Sequence, residues 1–187
     1  MEIVAGETEA FVRLLRGQKH DFLNHLQVIS GFLQLGKPER ALAYTKEVVA
    51  RIGKNGRLMR LRQAELVLQC QFKLEEAAQR QIKVEVEVDT EMEDLALTGE
   101  QAAGLLELAW ELVLGAFEAG EQEGRLGLEI RETGQGYLWR FTGSPGPVGR
   151  ERMDSVLAEL QERAEKCGTP VTWSPHKFEL TLLLPRK

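Results

Sequence analysis

The chain is 187 residues long, 43% hydrophobic and 28% charged, with a net charge of -5, a composition suited to one compact domain or two small ones with a real core. No apolar run approaches the roughly 20 residues of a membrane span, and the start Met-Glu-Ile-Val-Ala-Gly-Glu lacks the basic and apolar blocks of a signal peptide, so a cytoplasmic protein with no membrane contact is expected. The acidic balance, and the lack of aromatic residues interleaved with the basic run Arg51, Lys54, Arg57, Arg60 and Arg62, speak against a nucleic-acid partner; that run reads as a solvated helix face.

The first predicted element is a helix from about Glu7 to Leu35. At about 100° per residue, Phe11, Leu15, Phe22, Leu26, Ile29 and Leu33 fall in one narrow apolar stripe. His20 lies almost opposite, on the wet side, with Arg13, Arg16, Gly17, Asn24, Gln27 and Gly31. An isolated exposed histidine is usually only a surface residue, but its company here points elsewhere. Arg13 and Arg16 supply positive charge for an incoming phosphate, and Asn24 and Gln27 offer amide hydrogen bonds on the same face. Gly17 and Gly31 leave that face bare at some cost in helix propensity, which suits close approach by another protein. His20 is therefore the candidate nucleophile for phosphoryl transfer, with Arg16 and Lys19 placed to steer or screen the phosphate. Asp21, about 100° round the helix from His20, either orients the ring through its other nitrogen or is a solvated carboxylate, the two weighing equally. His25 flanks the apolar region and reads as a satisfied interface histidine. Its spacing from His20 does not put the two on one face as zinc ligands, and no metal site is expected.

Gly36-Lys37-Pro38 stops this helix and starts the next, glycine suiting a left-handed cap and proline a first helical position. The second helix is expected from Pro38 to about Ile52, with an extension to Leu61 open, carrying Ala41, Thr45, Val48 and Ile52 on one side and Leu42 and Val49 beside them. Leu14, Val28 and Phe32 widen the apolar surface of the first helix beyond what one neighbour covers. Residues 1–62 are thus expected to form a hairpin whose pairing with a second copy makes a four-helix bundle and a homodimer.

From Gln63 the pattern turns to mixed α and β. A helix runs through Ala78, a strand covers Ile82 to Val88, and a helix covers Gly99 to Ala119. Leu126 to Arg131 and Tyr137 to Thr142 alternate around Thr133-Gly134-Gln135-Gly136, and Gly143-Ser144-Pro145-Gly146-Pro147 forms a loop. A helix from Arg150 to Cys167, then Val171 to Trp173 and Phe178 to Leu184, complete an α+β sandwich over residues 63–187, with helices on one face of a mixed sheet. Trp110, Trp139 and Trp173 read as core. Cys70 and Cys167 show no metal-ligand spacing and read as buried thiols. His176, in a terminal turn, does not rescue a metal hydrolase.

The segment His20-Asp21-Phe22-Leu23-Asn24, followed by Leu-Gln-Val-Ile-x-Gly-x-Leu-Gln-Leu-Gly, resembles the dimerisation and phosphotransfer helix of the stage-zero sporulation protein B-like phosphorelay phosphotransferases, and the related helix of citrate- and fumarate-type sensor kinases. The remainder follows in the order of a histidine-kinase-like ATP-binding domain. The resemblance implies a dimeric four-helix bundle carrying degenerate kinase-type ATPase sandwiches, with His20 phosphorylated. It also implies that nucleotide chemistry has been lost. Where an active kinase resembles N-L-x-x-N-A, this chain has Glu111 for the first Asn and Gly115 for the magnesium ligand, and glycine has no side-chain oxygen for a hard cation. Where the next box resembles D-x-G-x-G, Thr142 replaces the Asp. The glycine-rich lid is absent, Val148-Gly149-Arg150-Glu151-Arg152-Met153 running directly into a helix.

The function expected is a phosphorelay transfer between aspartates of receiver-domain response regulators through a phosphohistidine at His20, with sporulation implied by the resemblance alone. No cofactor is expected on this chain, the receiver bringing Mg²⁺. The alternatives are an ATP-using histidine autokinase, which needs replacements for the missing ligands, and a non-catalytic dimeric adaptor. That no separate sensor domain is seen fits a relay protein fed by other kinases.

Overall fold

Two long amphipathic helices make up the first of two compact units, Met1–Gly56 and Arg57–Lys187. The structure is a computed structural model; it describes residues 2–117, 124–144 and 150–187, without the side chains of 2–8, 10, 51, 54, 55 and 150–152. Helix α1 spans Glu2–Gln34 and so begins before Glu7, and α2 spans Pro38–Asn55. Between them Gly36 sits at φ +67°, where an L side chain is strained. The Gly36 N–H donates to the Leu33 carbonyl at 3.0 Å and the Lys37 N–H to that of Phe32 at 2.9 Å, satisfying carbonyls that the end of α1 would otherwise orphan. Proline opens α2, where its missing N–H costs nothing.

The extension of α2 to Leu61 does not occur. The helix ends at Asn55, and a short 3₁₀ turn, Leu58–Arg60, follows. Leu58 and Leu61, placed with the hairpin on sequence, are buried in the core of the second unit. Arg62 fastens them there: its N–H donates to the Glu91 carbonyl at 3.0 Å and its guanidinium lies 2.7 Å from Glu93. Of the basic run, Arg57, Arg60 and Arg62 are exposed, and the side chains of Arg51 and Lys54 lie outside the described residues.

The second unit is an α+β sandwich. In chain order it holds α3 (Ala64–Gln79), β1 (Ile82–Asp89), α4 (Gly99–Gly115), β2 (Gly124–Thr133), β3 (Gly136–Gly143), α5 (Arg150–Lys166), β4 (Val171–Ser174) and β5 (Glu179–Leu184). The strands form one mixed sheet in the order β1-β2-β3-β5-β4; β1 and β2 are parallel and the other pairs antiparallel. A crossover through α4 is what the parallel pair requires. Period-2 alternation puts Leu126, Leu128 and Ile130 of β2 on one face with Tyr137, Trp139 and Phe141 of β3 and Leu180, Leu182 and Leu184 of β5, all buried. Against that face lie Leu66, Cys70 and Ala77 of α3, residues of α4, and Leu160 and Ala164 of α5; of the 17 residues of α4, nine are buried there. The other face is polar, with Glu129 paired to Arg140 at 3.1 Å and to Arg131 at 3.2 Å. Thr98 and Gln101 form a reciprocal capping box at the start of α4, which fixes where that mostly apolar helix begins.

Trp110 and Trp139 are fully buried and Trp173 partly so. The two thiols differ from expectation: Cys70 is buried, but Cys167, one residue past α5, is only half-buried, and both are free. Helix α4 ends at Gly115, with Ala116 as its cap, and so stops short of the expected Ala119; Glu118, Ala119 and the Pro145-Gly146-Pro147 loop lie outside the described residues.

Candidate phosphotransfer site

His20 stands on the exposed side of α1 with its side chain 76% accessible. Helical spacing places Arg16 one turn before it, Arg13 two turns before, Asn24 one turn after and Gln27 two turns after. All four are exposed, as are the flanking Lys19 and Asp21. Two of them touch the ring. The Asn24 amide nitrogen lies 3.1 Å from Nδ1, and an Asp21 carboxylate oxygen lies 4.0 Å from the same atom. Both polar neighbours thus gather at Nδ1, and among the described residues none bonds Nε2. Arg13, Arg16, Lys19 and Gln27 make no hydrogen bond or ion pair with the imidazole; they surround it with cationic and amide groups on the same outer surface.

The distribution of protons on the ring follows from Nδ1. An amide N–H donating to Nδ1 leaves the proton on Nε2, whereas the amide oxygen of a turned Asn24, or the Asp21 carboxylate, accepts a proton from Nδ1 and leaves the Nε2 lone pair bare. The two ends of an asparagine amide are nearly isosteric, so the turn requires no other movement. Farther along the same line, Gly31 has open space where a Cβ would stand. Nothing within the chain calls for a glycine there.

The rest of the hairpin surface divides sharply. Leu14 on α1 and Ala41 and Val48 on α2 are buried, with Phe32 and Tyr44 half-buried beside them. The stripe expected to be apolar stays largely uncovered within one chain: Phe11, Leu15, Phe22, Leu26 and Leu33 are all exposed, Phe22 by 58%, and so are Leu42, Val49 and Ile52 on α2. His25 is half-buried in the seam between the two helices of its own chain, its Nδ1 2.8 Å from the Tyr44 hydroxyl and the rings meeting edge to face at 5.8 Å. Tyr44 also meets Phe32 edge to face at 6.3 Å. Tyr44 was missed in the sequence, although it lies three residues beyond Ala41 and four before Val48, the spacing of a helix seam.

In the second unit, Gly115 is the last residue of α4 and exposed, Glu111 is exposed one turn earlier, and Thr142 of β3 is half-buried opposite Gly127. No group of three or more His, Cys, Asp or Glu is placed to hold a metal among the described residues. Residues 145–149, and with them the segment expected to lack a glycine-rich lid, lie outside the described residues, as do Glu118 and Ala119. No described helix is long and apolar enough to cross a membrane.

Residues 2–61 match the family model described as the alpha-helical domain of SpoOB-type sensor kinases. No curated protein matches the chain. Among solved structures, the fold resembles the Acinetobacter baumannii histidine kinase AdeS, at 11% identity and TM-score 0.51 over 90% of this chain and 98% of that one. It also resembles the blue-light activated histidine kinase EL346 of Erythrobacter litoralis, at 13% identity and TM-score 0.52 over 93% of this chain and 59% of that one. A third is the histidine kinase ThkA in complex with the response regulator protein TrrA, at 12% identity and TM-score 0.51, covering 94% of this chain and 61% of the other. The chain therefore spans about three fifths of the length of the last two. The likenesses show the fold, a helical domain followed by a histidine-kinase-like ATPase fold, and the match makes residues 2–61 similar to the SpoOB-type helical domain.

Proposed function

We propose, from this kinship with the histidine kinases of two-component signalling, that the chain is a phosphotransferase that passes a phosphoryl group between receiver-domain response regulators through His20. The observation that carries this is the ring itself: an accessible imidazole on a helix matched by the SpoOB-type model, with its polar neighbours at Nδ1 and, among the described residues, no partner at Nε2. In the first step Nε2 attacks the phosphorus of an aspartyl phosphate in line; the N–P bond forms as the P–O bond to the aspartate breaks, and the carboxylate leaves. Asp21 and a turned Asn24 accept from the Nδ1 proton and stabilise the positive charge that develops on the ring. In the second step another receiver's aspartate attacks the same phosphorus and the N–P bond breaks, regenerating His20. Positioning and screening of the phosphoryl oxygens supply most of the catalysis. Arg13, Arg16 and Lys19 provide part of the screening, and the receiver's acidic pocket brings the Mg²⁺. Gln27 and the bare surface at Gly31 form the landing for the receiver.

The active form we propose is a homodimer, because the exposed apolar stripe of α1 and the apolar flank of α2 suit a second copy of the same hairpin. Gly115 offers no side-chain oxygen to a magnesium ion and Thr142 no carboxylate to an adenine, so the second unit is taken to have kept its fold without nucleotide chemistry. Sporulation initiation is the biological setting this proposal favours, in the cytoplasm.

The test is labelling of purified protein, alone with radiolabelled ATP and Mg²⁺ and separately with a phosphorylated receiver domain, with His20→Gln as control. Label arriving only from the receiver, and absent in His20→Gln, is the expected result. Label from ATP alone makes the protein an autokinase; none from either source leaves an adaptor.

A further inference from the structure

The hairpin contains a hydrogen-bonded side-chain pair that joins its two helices across a largely apolar seam, and apolar packing alone does not choose one rotation of α1. At about 100° per residue, Leu14 and Phe32 lie about 120° from His20, Phe11 and Ile29 about 180°, and Leu26 about 240°. Apolar side chains therefore cover a wide arc, and α2 finds similar surface to bury along much of it. In the structure α2 meets the near edge of the arc, at Leu14, His25 and Phe32, and leaves Phe22, Leu26 and Leu33 exposed. A directional contact at that edge is the 2.8 Å hydrogen bond between His25 Nδ1 and the Tyr44 hydroxyl, backed by edge-to-face contacts of Tyr44 with His25 and Phe32.

We propose that His25 and Tyr44 are positioning residues, their hydrogen bond selecting one rotation of α1 against α2 and so holding the His20 ring on the side away from both apolar surfaces. The inference rests on the phosphotransfer role of His20. Its physical basis is that this hydrogen bond is made in one geometry only, so that a slipped or rotated packing loses it at half-buried positions. A single polar residue at a core position of a coiled coil fixes register in the same way, at some cost in stability. A rotation of α1 by a few tens of degrees would carry His20 away from in-line attack while leaving it fully exposed.

The experiment compares wild type, Tyr44→Phe, and the all-apolar His25→Leu/Tyr44→Phe in the full-length protein. Two quantities are read: the rate at which a phosphorylated receiver labels His20, and the distance distribution between nitroxides at Ser30→Cys and Glu47→Cys, in a Cys167→Ser background diluted with unlabelled chain. We expect both variants to broaden or shift the distance distribution and to slow labelling about tenfold or more. The double variant should melt at or above the wild-type temperature, so that stability and transfer move apart. Distance distributions that superimpose on wild type, or labelling that falls only as far as thermal stability does, would overturn the proposal. If wild type itself accepts no label, the His20 reading fails, and the nitroxide distances still decide whether the pair sets the rotation.

Discussion

In the proposed transfer the chemistry at His20 turns on a single proton. With Nδ1 as the point where Asn24 and Asp21 converge, a carboxylate that accepts from Nδ1 keeps the nucleophilic lone pair on Nε2. Asp21→Asn removes the anion without changing the shape, and labelling by a phosphorylated receiver should slow about tenfold, less than the roughly 10²–10⁴-fold of a group that itself transfers the proton. Melting should stay within about 0.5 kcal/mol of wild type because the residue is exposed. An unchanged labelling rate would make Asp21 a solvated carboxylate. The two cysteines make a second contrast. Burial pushes the Cys70 thiol from 9.0 up to about 12, the Trp110 indole acting in the opposite direction. Since the thiolate is the reactive form, iodoacetamide at pH 8 should modify half-buried Cys167 in the native protein and reach Cys70 only on unfolding, as peptide mass spectrometry would show. The sign for stability follows: the proton on Cys70 favours the fold fully below pH 9, and that contribution falls as pH rises toward about 12.

At the scale of the element, α1 is longer and less well propensity-matched than stability alone would select. Gly31 sits in its interior with open space for a methyl group. Gly31→Ala should therefore stabilise the helix by up to about 1 kcal/mol, seen as a rise in melting temperature. The same methyl stands on the face proposed for the receiver, so transfer from a phosphorylated receiver should slow while stability rises. Faster or equal transfer would remove Gly31 from the docking surface. Periodicity made α1 legible in the sequence, and the start of α2 is marked by Gly36 and Pro38. The end of α2 at Asn55, just before Gly56, lies three residues past the expected Ile52; what periodicity left open was whether the helix went on to Leu61. What ends the hairpin is the burial of Leu58 and Leu61 elsewhere.

For the molecule as a whole, the uncovered hairpin surface is the main property without a partner in one chain. Leu26→Glu puts a charge in the middle of the exposed stripe. It should leave the chain folded, since Leu26 is 46% exposed, but shift sedimentation from dimer to monomer; a variant that stays dimeric counts against pairing through the hairpin. In the second unit, the strand and helix boundaries were largely readable because alternation and capping are local. Ile82 to Val88, Leu126 to Arg131 and Tyr137 to Thr142 all fall within observed strands. The departures at Glu111, Gly115 and Thr142 were likewise readable as residue identities, independent of how the chain packs.

The elements, the turns between them and the exposed histidine follow from local rules: a period of 3.6 or 2, a glycine that tolerates positive φ, a proline that opens a helix. Such rules state which residues want burial but not what buries them. The partner of each apolar face is a choice among surfaces distant in sequence. For that reason the placing of His25 against Tyr44, the division of α1 into a covered seam and an open stripe, and the passage of Leu58 and Leu61 into the second core emerged only when the chain was folded.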